Sequence, residues 1–224
     1  MAKKVILIVL GAILSLVGVL GAIAGAALLV LFGSNGTLHS GFHQVESSAV
    51  ALVSPVENIQ HVSGFDTTFG TPTIRVQGVT SKSSGGVFIG VAPASEVNSY
   101  LAGAPIDLVN SVETDPFHLD KQLRAGSAMP APPNQQSFWT ISASGNTRAD
   151  FAWRIHQSGS YRLVIMRTDA APNIRVSTNF GVTIPHIFGI SLGVLLGGCA
   201  ILLIGVSLIV IGARAKTRPA PSGA

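Results

Sequence analysis

Two long apolar runs lie near the ends of the chain, one from Val5 to Phe32 and the other from Ile187 to Ala213. Neither run contains a charged residue. A helix of about 20 apolar residues is long enough to cross a bilayer, and a buried helix of a soluble protein is rarely so long and so uniformly apolar. The pattern therefore predicts two membrane-spanning helices, over residues 5–32 and 186–213.

Between these runs, apolar and polar residues alternate with a period of two, which is typical of strands with one buried face. "ADFAWRI" (149–155) and "YRLVIMR" (161–167) alternate on either side of the turn-like "HQSGS", and they predict a β-hairpin. "IRVST" from Ile174 predicts the next strand of the same antiparallel sheet. Further strands are predicted at Ser48–Val53, Thr73–Val79, Val87–Ala92 and Ser137–Ala143. So many short strands with few helices between them indicate a β-sandwich or a small barrel.

One short helix is predicted within this β region, in "PASEVNSYLAG". Pro93 is compatible with the first turn of a helix, where its missing N–H has no partner to lose. Val97, Tyr100 and Leu101 follow a helical spacing, and Gly103 and Pro105 end the helix.

The stretch from Asp107 to Gln136 is the least regular part of the chain. Its acidic residues and His118 are followed by "GSAMPAPPNQQ", in which three prolines disfavour helix and strand. It is predicted to be a long surface loop, and long loops often carry function.

Charge is unevenly distributed. Only 11% of the residues are charged, against about 25% in a typical soluble domain. The ten acidic residues all lie between the apolar runs with nine basic ones, so that region has a formal charge of 9 − 10 = −1. The overall +4 comes from the two tails, whose basic residues are Lys3, Lys4, Arg214, Lys216 and Arg218. It gives no indication of a nucleic-acid partner.

Basic flanks remain on the cytoplasmic side of a membrane. The predicted arrangement is a cytoplasmic N-terminus (1–4), a first span (5–32), an extracytoplasmic β-sandwich-like domain (33–185), a second span (186–213) and a disordered cytoplasmic tail (214–224). This arrangement is that of a multi-pass plasma-membrane protein with both termini in the cytoplasm. The alternative is a secretory signal cleaved near Ala22-Ile23-Ala24, although the apolar run continues to Phe32, well beyond that site.

Glycines recur along both predicted spans. The first has Gly11, Gly18 and Gly25 at seven-residue intervals and a GxxxG from Gly21 to Gly25. The second has a GxxxGxxxG at Gly189, Gly193 and Gly197, and a seven-residue repeat at Gly198, Gly205 and Gly212. Such faces allow close approach of a second helix backbone. They predict helix packing within the chain, in a homo-oligomer or with another membrane protein, in addition to contact with the lipid bilayer.

Motifs that would indicate chemistry are missing. Cys199 is the only cysteine, so the chain can form no internal disulfide. His39 and His43 have a spacing that could bind a metal on a helix, but the glycines around them disfavour a helix and no HExxH accompanies them. GxSxG, SxxK, a P-loop and GxGxxG are absent. We therefore predict no catalytic residues, no metal, no cofactor and no enzymatic activity.

Three segments carry a resemblance to a known group of proteins: "FIGVAPASEVNSYLAG", "PPNQQSFW" and "FAWRIHQSGSYRLVIMRTDA". In this order, between glycine-rich spans, they resemble a family of uncharacterised two-span membrane proteins of actinobacteria. The resemblance implies the same topology and β domain, and it brings no catalytic residue. Where those proteins tend to have Asn-Ala-Asp-Gly after the methionine, this chain has Arg167-Thr168-Asp169-Ala170.

Three functions are compatible with these observations. The first is an accessory or interaction module for other membrane or envelope components. The second is a binding module for a lipid, glycan or peptide that uses the 107–136 segment, and a deep apolar pocket beneath that segment would favour it. The third, a membrane-anchored hydrolase, would require a Ser–His–Asp arrangement in the folded domain.

Overall fold

The computed structural model describes residues 2–60, 65–114, 116–155 and 157–214. The described chain divides into two compact units, of which one contains the residues up to Gly36 together with those from Pro185, and the other extends from Thr37 to Ile184. The elements in chain order are α1 (Ala2–Phe32), β1 (Thr37–His39), β2 (His43–Ser47), β3 (Ala51–Val53), β4 (Glu57–Ile59), α2 (Phe65–Phe69), β5 (Thr73–Val79), β6 (Val87–Pro93), α3 (Ala94–Tyr100), β7 (Ile106–Thr114), β8 (Phe117–Arg124), β9 (Ile141–Gly145), β10 (Arg148–Arg154), β11 (Gly159–Met166), β12 (Ile174–Thr183) and α4 (Ile187–Arg214).

The first unit consists of α1 and α4, packed side by side in opposite directions, since Gly11 faces Gly205 while Gly25 faces Leu195. Both helices are long and apolar enough to cross a membrane. Their large apolar side chains point away from the pair, as Leu20 (60% exposed) and Leu203 (68% exposed) illustrate. An apolar surface of this kind is stable in contact with lipid tails, so the helices identify a membrane protein that contacts the bilayer.

The second unit is a two-sheet β structure. The first sheet has the order β1-β12-β5-β10, and β2 pairs with the same edge of β12 as β1 does. The second sheet has the order β8-β7-β3-β11-β6-β9, and β4 continues the pairing of β3 along β11. Every pairing is antiparallel except that of β3 with β7. The predicted fold, two apolar helices flanking a mainly antiparallel β-sandwich-like domain, is confirmed.

Two apolar clusters lie on opposite faces of the second sheet. The inner cluster fills the space between the sheets and includes Ile89 and Ile165. The outer cluster, with Phe88 and Met166, is covered by Val97 and Leu101 of α3 and its C-terminal end. A strand buried on both faces loses the apolar–polar alternation, as β6 does.

The predicted hairpin of β10 with β11 is wrong. β10 pairs with β5 in the first sheet, whereas β11 pairs with β3, β4 and β6 in the second, and β12 returns to the first sheet. Val164 and Met166 are as deeply buried as Ile165 on the other face. This two-sided burial is the property of a central strand, which the single apolar face assigned to "YRLVIMR" did not capture.

The predicted long loop over Asp107–Gln136 is also wrong in its first half. β7 and β8 form an antiparallel hairpin there, with a β-bulge between Val109 and Ser111. On β8, Phe117 and Leu119 point inward while His118 and Asp120 are exposed. Two of the residues that suggested a loop, His118 and Asp120, occupy outer positions of this amphipathic strand.

Other strand and helix predictions fared better. β5 has the predicted bounds, Thr73–Val79. The short helix α3 is confirmed, with Val97 and Leu101 buried and Gly103 in a left-handed conformation just after it. In the predicted strand Ser137–Ala143, only the part from Ile141 is a strand. α2 was not predicted, and residues 215–224 of the predicted tail lie outside the described residues.

Candidate functional site

The most apolar pocket among the described residues is a cavity of about 510 Å³ between the two sheets, here called the inter-sheet cavity. Its walls come from seven strands of both sheets, namely β2, β3, β4, β7, β8, β11 and β12, and from the β1–β2 and β3–β4 connections. The apolar wall residues are Val45, Leu52, Val109, Phe117, Leu119, Leu163, Ile165 and Phe180. The volume is within the range of small-molecule sites, which are mostly apolar with a few polar groups.

The β7–β8 hairpin, which was predicted to be part of a loop, forms one part of the cavity wall. Val112 is paired with Leu119 across the hairpin. Both Val112 and Leu119 line the cavity. The cavity therefore lies beneath the first half of the 107–136 segment.

Most polar groups of the lining lie at partly or fully exposed positions, and one hydroxyl, that of Thr178, is buried in the wall. The lining includes Ser40, Ser54, Asn110 and Ser111, and its single ionisable member is the exposed Glu57. The side chain of Ser40 holds the edge of β12, because its Oγ accepts a hydrogen bond from the Phe180 N–H at 3.0 Å. An apolar interior with a polar rim favours a ligand that is itself mostly apolar.

A partly buried lysine on the cavity face of the hairpin pairs with a carboxylate of its own sheet and also bonds to the other sheet. Lys121 Nζ lies 2.7 Å from Asp107 Oδ2, and it also donates to the Glu46 carbonyl oxygen of β2 at 2.5 Å. Asp107 is only 4% exposed. Lys121 thus ties the second sheet to an edge strand of the first, two residues beyond Leu119.

Apolar surface continues out of the cavity along β12. Thr178 and Phe180 line the cavity, and Val182 follows them on the same face, since strand side chains alternate. Val182 is paired with Leu38 of β1. These two side chains are 40% and 48% exposed, which is unusual for the inner face of a sheet.

On the outer face of the second sheet, aromatic side chains attach the proline-rich segment to α3. Tyr100 Oη donates to the Ala131 carbonyl oxygen at 2.5 Å, and Trp139 Nε1 donates to that of Pro133 at 2.8 Å. The rings of Tyr100, Phe138 and Trp139 contact one another. Burial raises the pKa of Tyr100 to about 12. These contacts account for the order of a segment that has no regular structure.

The turn after β11 contains Arg167, Asp169 and Ala170. Arg167 donates two hydrogen bonds to Asp169, at 3.0 and 2.7 Å, and Asp169 Oδ1 accepts from the Ala171 N–H. The hydrogen bonds from Arg167 lower the pKa of the Asp169 carboxyl, and the Ala171 N–H adds to this. Ala170 has φ +56°, a conformation that favours glycine.

A more polar cleft of about 570 Å³ lies beside this turn and includes Arg167, Asn173 and Arg175. Arg167 is engaged by Asp169, while Arg175 is 72% exposed and 3.8 Å from Glu46. The cleft is therefore an open, polar part of the domain surface.

The predicted packing glycines occupy two different environments. A Cβ at Gly11 would lie 2.6 Å from the Gly205 carbonyl oxygen, and one at Gly18 would lie 2.8 Å from that of Gly198. Gly25 faces the Leu195 backbone as closely, and a Cβ at Gly21 would be 3.4 Å from the Gly198 Cα. α1 therefore uses all four of its predicted glycines against α4.

In α4, the glycines that meet α1 belong to the seven-residue repeat, Gly198, Gly205 and Gly212, which continues upstream as the buried Ser191. Gly189, Gly193 and Gly197 have open space where a Cβ would be. At about 100° per residue, Gly193 and Gly198 are separated by roughly 140° around the helix. The GxxxGxxxG face points away from α1.

His39 and His43 lie in two different strands and are not one helical turn apart. His39 is in β1 and His43 in β2, where the His43 ring stacks on Phe117 with centroids 4.1 Å apart. His43 Nε2 lies 2.7 Å from the carbonyl oxygen of Ser40. A histidine that acts as a base would instead be hydrogen-bonded to the serine hydroxyl, so His43 and Ser40 lack the geometry of a base and its nucleophile. No group of three His, Cys, Asp or Glu side chains that could hold a metal occurs within the described ranges.

The inter-sheet cavity was not identified from the sequence, although one signal pointed to it. "FHLDKQL" alternates in the same way as the strands that were recognised, and its inward residues Phe117 and Leu119 are cavity residues. An incompletely filled space between sheets depends on side-chain volumes from six separate segments, and no local pattern encodes it.

No family model matches the sequence, and no curated protein matches it. Among solved structures, the chain is similar to the crystal structure of a periplasmic lysozyme inhibitor of g-type lysozyme from Aeromonas hydrophila. The two share 12% sequence identity, over 67% of this chain and 88% of that chain, with a TM-score of 0.29. A similarity of this size supports no conclusion about the fold or function of this chain.

Proposed function

We propose that this protein is a non-enzymatic, multi-pass plasma-membrane protein whose extracytoplasmic β domain is an accessory module that binds an apolar ligand. The observation that carries the proposal is the inter-sheet cavity, whose wall is formed mostly by aliphatic and aromatic side chains and whose polar groups, apart from the buried Thr178, lie at partly or fully exposed positions. The basic residues beside both helices, such as Lys4 and Arg214, support the cytoplasmic location of the termini. The actinobacterial family remains a prediction from the resemblance.

Binding in such a cavity is driven by removal of apolar surface from water, at about 25 cal/mol per Å². No base, nucleophile or metal-binding group lines the interior, so a bound molecule would meet only groups that hold it. These side chains are suited to binding an apolar molecule, and the domain would then retain, transfer or sense that molecule.

The test is purification of the full-length chain in a mild detergent, organic extraction and mass spectrometry of the extract. Val112→Glu introduces a charge at the cavity mouth. Because the Val112 side chain is 54% exposed, the substitution is compatible with folding. Leu123→Glu, on the same hairpin but outside the cavity and 57% exposed, is the matched control.

We expect a defined apolar compound with the unaltered chain and with Leu123→Glu, and at least a tenfold loss with Val112→Glu. An extract without such a compound, or one that is equal in all three proteins, would contradict ligand binding in the cavity.

A second candidate function is contact with a neighbouring membrane protein or a second copy of the chain. The open face of Gly189, Gly193 and Gly197 favours it, because α1 already occupies the other glycine face of α4 and GxxxG faces allow close helix contact. Replacing Gly193 and Gly197 with leucine should abolish co-purification of a stoichiometric partner from native membranes. Cys199→Leu adds bulk about 120° away on the same helix and should leave the association unchanged. Equal recovery of the partner with both variants would exclude this face.

A further inference from the structure

We infer that the ligand of the inter-sheet cavity is an acyl chain of a lipid from the bilayer that α1 and α4 cross. This inference rests on the proposed function, since it names the ligand and its source for the same cavity. It follows from three features of the β domain: the row of apolar residues on β12, the way the chain enters and leaves the domain, and the chemistry of the cavity wall.

The first feature is the direction in which the apolar surface leaves the cavity. Phe180 lines the cavity and Val182 is the next residue on that face, opposite Leu38. Beyond this pair, the sheet ends at Thr37 and Thr183, whose hydroxyl oxygens are 2.8 Å apart. The exposed Leu38–Val182 pair therefore connects the cavity with one particular end of the first sheet.

The second feature is that both chain connections to the membrane helices leave from this end. Thr37 follows the last residue of α1, Phe32, by five positions, and Thr183 precedes the first residue of α4, Ile187, by four. An extended chain spans at most about 3.6 Å per residue, so these connections reach no further than roughly 18 Å. Covalent attachment alone keeps the Leu38–Val182 pair within reach of the membrane surface, from which a lipid chain could pass onto it.

The third feature is the wall, which distinguishes an acyl chain from a glycan or a peptide. A glycan presents hydroxyls and a peptide presents backbone amides, and both require many hydrogen-bonding partners once buried. Buried lining residues such as Leu52 and Ile165 offer none, and the buried hydroxyl of Thr178 donates to the His43 carbonyl oxygen at 3.5 Å. The exposed Glu57 at the mouth disfavours an anionic head group there, so the chain of a neutral or zwitterionic lipid fits the wall best.

The experiment uses the full-length chain in phosphatidylcholine nanodiscs that contain a trace of phosphatidylcholine with a diazirine at the end of one acyl chain. After irradiation, the labelled peptides are identified by mass spectrometry. We expect label on β7, β8 and β12 in addition to α1 and α4. Val112→Glu should reduce the β-domain label at least tenfold, while Leu123→Glu leaves it unchanged and the label on α1 and α4 remains constant in all proteins.

A second substitution at the mouth, Ser111→Phe, fills space without adding charge, so it tests the same prediction if Val112→Glu is poorly folded. Label restricted to α1 and α4, or β-domain label that is insensitive to both substitutions, would overturn the inference. If the extraction experiment still yields an apolar compound that depends on Val112, the proposed function stands and only the bilayer source is wrong. If that experiment also yields nothing, ligand binding itself fails.

Discussion

Gly18 of α1 packs directly on the backbone of Gly198 of α4, so that a Cβ on Gly18 would lie 2.8 Å from the Gly198 carbonyl oxygen. Neither helix can carry a side chain at this contact without being displaced. The seven-residue spacing of the glycines repeats the contact along both helices, and it determines how they pack.

We expect Gly18→Leu to destabilise the helix pair by about 1–3 kcal/mol or more, as overpacking does in a close-packed interface. Cys199→Leu is the matched control, because the Cys199 side chain is exposed on α4 and lies outside both glycine faces. Thermal unfolding in a fixed detergent measures both. Equal losses of stability would show that α1 and α4 do not pack through the glycine repeat.

Lys121 should be more important for stability than an ordinary surface lysine. Lys121→Met leaves the carboxylate of Asp107 without its cation in a buried position, and an unpaired buried charge costs several kcal/mol. Since the ammonium group is partly exposed, we expect a loss of roughly 2–3 kcal/mol, measured by denaturant unfolding of the full chain. Arg148→Met, which breaks an exposed pair with Asp150, should change stability by less than about 1 kcal/mol. Similar effects of the two substitutions would contradict a structural role for the inter-sheet bridge.

The pair of Arg167 and Asp169 should contribute to stability only above acidic pH. Hydrogen bonds from Arg167 lower the pKa of Asp169, so the stabilisation is complete above the usual carboxyl pKa and is lost as the pH falls through the lowered value. Because Asp169 is 48% exposed, the effect should be below about 1 kcal/mol. Arg167→Gln should flatten the dependence of stability on pH below about 4. An unchanged dependence would mean that the pair is not formed in solution.

Tyr100 should make the stability of the fold decrease as the pH rises in the alkaline range, the opposite of the effect of Asp169. Its pKa is raised to about 12 by burial, so the neutral phenol stabilises the fold below pH 10 and this contribution is lost as the pH rises towards 12. Absorbance at the phenolate band should show one tyrosine titrating near 12 that is missing in Tyr100→Phe. The substitution also removes the hydrogen bond to Ala131, so hydrogen exchange of the proline-rich segment should become faster. If the segment kept its protection, its order would not depend on Tyr100.

The sequence predicted those parts of the fold in which a local pattern is sufficient. Thr73–Val79 alternates cleanly and proved to be a strand with those bounds, and the residues around Val97 formed the expected helix. The pairing partners of the strands could not be predicted from the sequence in the same way. Tyr161–Met166 is apolar on both faces because it lies at the centre of a sheet covered on both sides. The consecutive strands β10, β11 and β12 belong to alternate sheets, which no local pattern indicates.

The candidate site was less predictable than the fold. The glycine patterns predicted close packing, yet only the structure separates Gly198 and its repeat, which meet α1, from Gly193, which does not. Both sets of glycines have a spacing that places them on one helix face. Which set faces α1 depends on how side chains such as that of Ile209 pack against the opposite helix. The cavity required knowledge of which strands face each other, which no periodicity provides.

The pairing of Thr37 with Thr183 means that the β domain begins and ends at a single place. A domain with adjoining termini can be removed or exchanged without pulling apart the elements on either side of it. A short glycine–serine connector in place of residues 37–183 should therefore leave α1 and α4 able to form a helical hairpin. During evolution, the glycine-packed helix pair can therefore serve as a membrane anchor for other domains, because a different domain can be inserted between the positions of Thr37 and Thr183.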